Sequence, residues 1–328
     1  MKKIFYLMAV CAAAAACAKQ NPEIVPEQSV QTEERVSFSV GIPEVTTRST
    51  EGNVGDATVA SLQVFVFDKV GSRLDNYVKG TSKSVEVDCT KGRKMIYAVV
   101  NAPDLGGIKT EPELKEAVSA IADNTKSKFV MTGSEEVEIT GMQGDVTIHV
   151  NRKLVKICLT RIVNKITMPQ YKTLPFVVKA VYLVNVAADI PYFVDKENTS
   201  WVNFKKATEM KNDFYYDAVE DVQIPAPGTY ETTHSFYCYP NLTKVDSSKP
   251  DNDARRFTRL VVEATLGEQK YYYPINVTDM VSNNTYQISL AVTRPGSESP
   301  DIPVDKYSAN ASIDVIPWNV HDVVEDEI

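Results

Sequence analysis

The chain is poor in the residues that carry chemistry. Its 328 residues include three histidines, five cysteines and two tryptophans. His149, His234 and His321 lie far apart. No element therefore carries two histidines at i and i+3 or i+4, the spacing that sets metal ligands on one helix face. His149 alternates with Val146, Ile148 and Val150 and reads as a solvated strand residue. There is no GxSxG, no HExxH and no glycine-rich phosphate loop, and Gly106-Gly107 reads as a turn. Glu135 and Glu136 are adjacent, so in a strand they face opposite sides and form no acid/base couple. Asp251, Asn252 and Asp253 lack the glycine and glutamate of a calcium loop and read as surface. No enzyme, metal or cofactor is expected from these patterns.

Three further shortages narrow the field. After Cys11 and Cys17 only Cys89, Cys158 and Cys238 remain, scattered and odd in number, with no CxxC. They form neither a disulfide framework nor a zinc site and read as small buried hydrophobes. A basic surplus is also missing: the net charge is −8. Residues 1–48 hold five basic and five acidic side chains, so the whole deficit lies beyond them. An acidic body is a poor match for nucleic acid, which needs a basic face. Beyond the first twenty residues no apolar run approaches the roughly 18 residues that a membrane-spanning helix requires.

What is present begins with an export signal. Lys2 and Lys3 precede an apolar stretch over residues 4–16, too short to span a bilayer but suited to a signal peptide. Ala14-Ala15-Ala16-Cys17 resembles a bacterial lipobox, in which Cys17 becomes the lipidated first residue. Cys11 is the rival, with bulky Val10 before it, and an ordinary signal peptide cut after an alanine is the alternative. All of these export the chain. Residues 18–34 are polar, carry two prolines and read as a tether.

Strand patterns follow. Val36, Phe38, Val40 and Ile42 alternate with Ser37, Ser39 and Gly41. Further strands are expected over residues 62–67, 94–101, 146–150, 154–162, 176–186, 260–266, 271–277, 286–292 and 313–316, where β-branched and aromatic residues dominate. One helix is expected: Pro112 suits its first turn, and Leu114, Ala117, Val118 and Ile121 recur at helical spacing. Many short strands with so little helix predict an all-β chain of β-sandwiches. Its parts are expected at 1–17 (signal with Cys17), 18–34 (tether), 35–150 (N-terminal domain) and 151–328 (C-terminal domain).

Taken in order, several segments resemble the fimbrillins, the lipoprotein-derived subunits of the Bacteroidales type V pilus. They are the signal and lipobox, a Val-x-Phe-x-Val strand, Thr46-Thr47-Arg48 and LQVFVFD from Leu62. CTKGRKMIYAVVN from Cys89, RKLVKIC from Arg152, FYCYPN from Phe236, Asn284-Thr285-Tyr286 and Val315-Ile316-Pro317-Trp318 complete the series. No one motif is specific; their order and spacing are.

That resemblance implies two β-sandwich domains of transthyretin-like topology and a structural role in a surface fimbria that contributes to adhesion. It implies a lipidated precursor at the outer membrane, cut by an arginine-specific protease in the loop after the first strand. Carried onto this chain, the cut falls at Arg48-Ser49 and the displaced strand is residues 36–42, with Val36, Phe38, Val40 and Ile42 as its apolar row. The donor strand then lies within residues 319–328, through Val320, Val323 and Val324. Partners are other copies, related fimbrial subunits and the protease; the finished filament is extracellular. The tail departs from the pattern, since Glu325, Asp326 and Glu327 are acidic and strict alternation is missing. An accessory, anchor or tip subunit is therefore an alternative. A different class is a surface glycan-binding lipoprotein, with Trp201, Tyr215, Tyr216 and Tyr271, Tyr272 and Tyr273 as aromatic candidates.

Overall fold

Alternation along the strands translates directly into two layered cores. The computed structural model describes residues 34–43 and 58–318, apart from 142, 207–213, 247–254, 305 and 306. The first nine strands are β1 (Arg35–Gly41), β2 (Leu62–Asp68), β3 (Leu74–Gly80), β4 (Ser84–Thr90), β5 (Gly92–Val100), β6 (Val118–Ala120), β7 (Met131–Ile139), β8 (Val146–Thr147) and β9 (Asn151–Arg152). One helix, α1 (Glu111–Glu116), lies among them.

Strands β3-β2-β5-β7-β9 form one sheet and β4-β1-β8 a second. Between them pack Val36, Phe38 and Val40 of β1, Val85, Val87 and Cys89 of β4, Leu62, Val64 and Val66 of β2, and Ile96, Ala98 and Val100 of β5. The other face of β2 and β5 is also buried: Phe65, Phe67, Tyr97 and Val99 meet Leu114 of α1 and Tyr192. Burial on both faces explains why LQVFVF, broken only by buried Gln63, reads as a nearly continuous apolar run rather than an alternation.

The remaining strands are β10 (Val155–Asn164), β11 (Phe176–Val184), β12 (Val186–Ala187), β13 (Asp189–Pro191), β14 (Trp201–Val202), β15 (Tyr216–Ile224), β16 (Gly228–Cys238), β17 (Thr258–Leu266), β18 (Gln269–Val277), β19 (Asn284–Val292) and β20 (Ala309–Pro317). Sheets β16-β10-β19-β20 and β15-β11-β17-β18 enclose the larger core. The all-β architecture, with a single short α-helix among the described residues, is thus as the sequence predicts. Strand β20 closes one edge on β19 but leaves Ile313, Val315 and Ile316 substantially exposed.

The two cores are fastened together. β13 pairs with β6, and Ile121 and Phe129 reach into the larger core. The Tyr239 hydroxyl meets Ser119 and Asn124. The Arg152 guanidinium lies 4.9 Å from the Trp318 ring centroid.

The expected helix is shorter than its periodicity. A Thr110–Glu113 capping box starts it, but Ala117 turns extended at ψ 137° and Val118 enters β6. Pairing with β13 outcompetes helix propagation there. The alternation over residues 146–150 yields only β8, and the long strands β3, β4, β7, β15 and β16 are not among the expected ones.

One glycine is fixed by a close approach. A Cβ at Gly133 would sit 2.1 Å from the His149 carbonyl oxygen, a backbone atom unable to rotate away. Gly133→Ala is expected to destabilise the smaller sandwich by about 1–3 kcal/mol, read as a lower midpoint in denaturant unfolding.

Candidate assembly groove

The apolar row of β1 is locked between two strands that do not pair with each other. Arg35 through Gly41 run antiparallel to Thr90 through Ser84 of β4. On the other side Val40 and Gly41 run parallel to Val146 and Thr147 of β8. The Ile42 amide donates to the Lys83 carbonyl at 2.9 Å, and the Ile148 amide to the Gly41 carbonyl at 2.9 Å. Val36, Phe38, Val40 and Ile42 are all buried, Val40 completely. At roughly 1.5–3 kcal/mol each, these four side chains contribute about 6–12 kcal/mol before ordering costs. Without β1, two strand edges and an apolar trough would face water.

A polar clasp closes the start of β1. The Arg35 guanidinium donates to Asp88 Oδ2 at 2.6 Å, to the Asp88 carbonyl at 2.8 Å and to Asp75 Oδ1 at 3.1 Å. The other Asp75 oxygen accepts from Lys94 Nζ at 2.7 Å and from the Thr90 amide and hydroxyl at 2.8 and 2.7 Å. Lys94 also pairs with Asp68. Both Asp75 and Lys94 are buried within their side chains. Burial pushes the Asp75 carboxyl up, but the hydrogen bonds from Lys94 and Thr90 outweigh it and hold the group below its ordinary value. Burial pushes the Lys94 ammonium down, but hydrogen bonds to Asp68 and Asp75 outweigh it and hold the group above its ordinary value.

The sign follows by linkage. Asp75 stabilises fully above the ordinary carboxylate value, and that stability is lost as pH falls through its depressed folded value. Lys94 stabilises fully below its ordinary value and loses that stability as pH rises through its elevated one. Asp75→Asn is expected to flatten the acid limb of a plot of melting temperature against pH while lowering the plateau.

Cys89 lies opposite Val36 and is fully buried. Burial, reinforced by Asp75, raises its thiol to about 11. Cys158 and Cys238 are also buried and unpaired by disulfide, as expected of small core residues. His149 is exposed, and His234 accepts or donates a 2.6 Å bond with Asp217. Among the described residues no group of three potential metal ligands occurs.

Of the residues read from the sequence, Val36, Phe38, Val40 and Ile42 are brought together here. Cys17, Arg48, Ser49, His321, Val320, Val323 and Val324 lie outside the described residues. Pro43 and Thr58 flank the stretch that contains Arg48. Among the aromatic candidates, Tyr216 and Tyr272 pack against one small cluster around Tyr182. Tyr215 and Tyr273 are in the larger core, and Tyr216 stacks on buried Tyr182 with centroids 5.6 Å apart. Trp201 is half-buried on β14. The Arg35–Asp75–Lys94 clasp escaped the sequence reading; its only signal was a lysine opening the apolar strand of β5.

A two-core all-β structure whose first strand is buried between two others is the class of fold shared with fimbrial proteins. The comparisons agree. Residues 35–169 match the family described as "Major fimbrial subunit protein (FimA)", a structural and not an enzymatic family. A fimbrilin from Porphyromonas gingivalis is similar in fold, with TM-score 0.58 and 18% identity, covering 87% of this chain and 98% of that one. A candidate cell-adhesion protein of Bacteroides eggerthii gives TM-score 0.67 and 19% identity, over 87% of this chain and 96% of its own. The tip fimbrial protein Mfa3 of Porphyromonas gingivalis, truncated at its C-terminus, gives TM-score 0.53 and 11% identity over 87% and 100%. No curated protein matches the chain. The fimbrillin resemblance drawn from the motifs is therefore shown, by the family match over residues 35–169 and by the shared fold.

Proposed function

We propose that this protein is a fimbrial subunit whose precursor is held unassembled by β1. The observation that carries this reading is the position of β1: a terminal strand, buried by four apolar side chains, between two strands that do not pair with each other. Export with a lipid on Cys17 brings the precursor to the outer membrane. An arginine-specific protease cuts at Arg48-Ser49, and the piece carrying Cys17 and β1 leaves. A strand from a neighbouring fimbrial subunit then fills the trough, regaining ladder hydrogen bonds and placing alternate side chains in the vacated pockets. This chain's own segment 319–328, through Val320, Val323 and Val324, fills the trough of the next subunit. Such head-to-tail joins do not close and so build a filament. The folded body divides at 35–150 and 151–328, the first part accepting and the second donating.

The test has two readouts. Sheared fimbriae from the producing cells are expected to contain this protein beginning at Ser49, whereas Arg48→Ala stays with the cell body at full length. In the purified chain, thiol reagents at neutral pH are expected to label Cys89 slowly before the cut and at least tenfold faster once β1 has been released, since the thiol then reaches solvent. Cys158 and Cys238 serve as unchanged controls. Filaments that retain residues 35–43 would sink the reading.

A further inference from the structure

The clasp at Arg35 is charge-coded. Arg35 is the only partner of Asp75 Oδ1 among the described hydrogen bonds, and it also holds both oxygens of Asp88 that face β1, one from the side chain and one from the backbone. The side chain of Asp75 is 5% exposed. Nearby, Glu34 pairs with Lys91 at 2.5 Å, but Glu34 is 73% exposed, so that pair discriminates little. When β1 leaves, Arg35 leaves with it. Asp68 and Asp75 then share the buried ammonium of Lys94, while Asp88, half exposed, keeps the Asn76 amide as donor. Water can satisfy Asp75 Oδ1 while the trough stands open. A new strand covers that oxygen again, and a covered carboxylate oxygen without a donor is unfavourable.

We propose that the trough of this subunit selects an incoming strand with an arginine or lysine in the place of Arg35, supplied by a different subunit rather than by a second copy of this chain. This rests on the strand-replacement reading above. Residues 309–328 contain five carboxylates, Asp314, Asp322, Glu325, Asp326 and Glu327, and no lysine or arginine; His321 is their one basic side chain. A run of this composition brings more negative charge to an acidic end and lacks the donor that Asp75 requires. The same acidic tail remains suited to a trough of opposite charge on another subunit. Charge of this kind sets which partners pair more than how tightly they pair.

The test uses the full chain with a specific protease site inserted in the 44–57 segment. After cutting, β1 stays seated without a covalent link, and its displacement by added peptides is followed through a fluorophore at its free end. The probes are a peptide copy of residues 34–43, the same peptide with Arg35→Lys or Arg35→Glu, and a peptide of residues 309–328. The arginine and lysine peptides are expected to displace β1. The glutamate peptide is expected to be about tenfold weaker at low salt, with the gap narrowing as salt screens the rim. The 309–328 peptide is expected to leave β1 seated at concentrations where the lysine peptide saturates. Equal displacement by the glutamate peptide, or displacement by residues 309–328 at the lysine peptide's potency, overturns the charge code and leaves strand replacement intact. No displacement by the exact β1 copy overturns strand replacement itself, and the code with it.

Discussion

Val40→Asp is expected to unseat β1. Val40 is completely buried, paired with Val85 on one side and Val146 on the other. A carboxylate there would lie in an apolar core with no cation placed to meet it; the Arg35 clasp is at the far end of the strand. The substitution removes the valine's burial and adds the desolvation of a charge, together about 4 kcal/mol or more. Val40→Ala removes only the first part and is expected to lower stability by about 1–2.5 kcal/mol. The difference between the two shows whether the site is as dry as its burial indicates. Denaturant unfolding gives the loss, and accelerated labelling of Cys89 locates it to β1. Both tryptophans, Trp201 and Trp318, lie in the C-terminal part of the chain. Their fluorescence is therefore expected to report the larger core as still folded in Val40→Asp under conditions where Cys89 already reacts.

The second large effect is at a buried ionic knot in the larger sandwich. Asp301 accepts from Arg256 at 2.6 Å, from Arg259 at 2.7 Å and from the Asn185 amide at 2.8 Å. Arg259 is fully buried and reaches Asp246 at 2.5 Å with its other terminal nitrogen. Asp301→Ala takes a shared carboxylate from two buried guanidiniums and leaves Arg259 with Asp246. Breaking one side of such a network is expected to lower stability by about 3–5 kcal/mol. Asp301→Asn keeps one acceptor oxygen and is expected to fall between alanine and the native residue. Tryptophan fluorescence against denaturant measures both. A loss below 1 kcal/mol for Asp301→Ala would mean that water reaches the knot and replaces the lost carboxylate.

The two effects differ in how visible they are in the sequence. The alternation of Val36, Phe38, Val40 and Ile42 against Ser37, Ser39 and Gly41 states both the strand and its buried face, because one side of β1 meets the core and the other does not. Strands such as β2 and β5 are also legible, as continuous apolar runs. β3, with the sequence LDNYVKG, is not: every residue in it is partly or wholly accessible, so no periodic burial marks it. β7 and β15 keep buried residues only at scattered positions, between runs of exposed acidic ones that only a neighbouring strand makes extended. The helix overran in the reading because Leu114, Ala117 and Ile121 do share a spacing. The chain spends that spacing on a short helix and then a strand, since β13 offers hydrogen bonds to residues 118–120.

Arg259 and Asp301 stand 42 residues apart, and Arg35 and Asp75 stand 40 apart. Charged residues at such separations look like surface until the fold brings them together. By itself the sequence determined the class: an all-β chain without catalytic or metal-binding patterns, with an amphipathic strand over residues 36–42. Those properties depend on local composition and period, which a single chain states outright. Only the tertiary structure decided that β1 lies between β4 and β8 instead of at an outer edge, and that its first residue is gripped by the buried carboxylate of Asp75 and the half-exposed one of Asp88. Strand order and ion pairing depend on contacts between segments far apart in the chain, and local pattern carries no record of them.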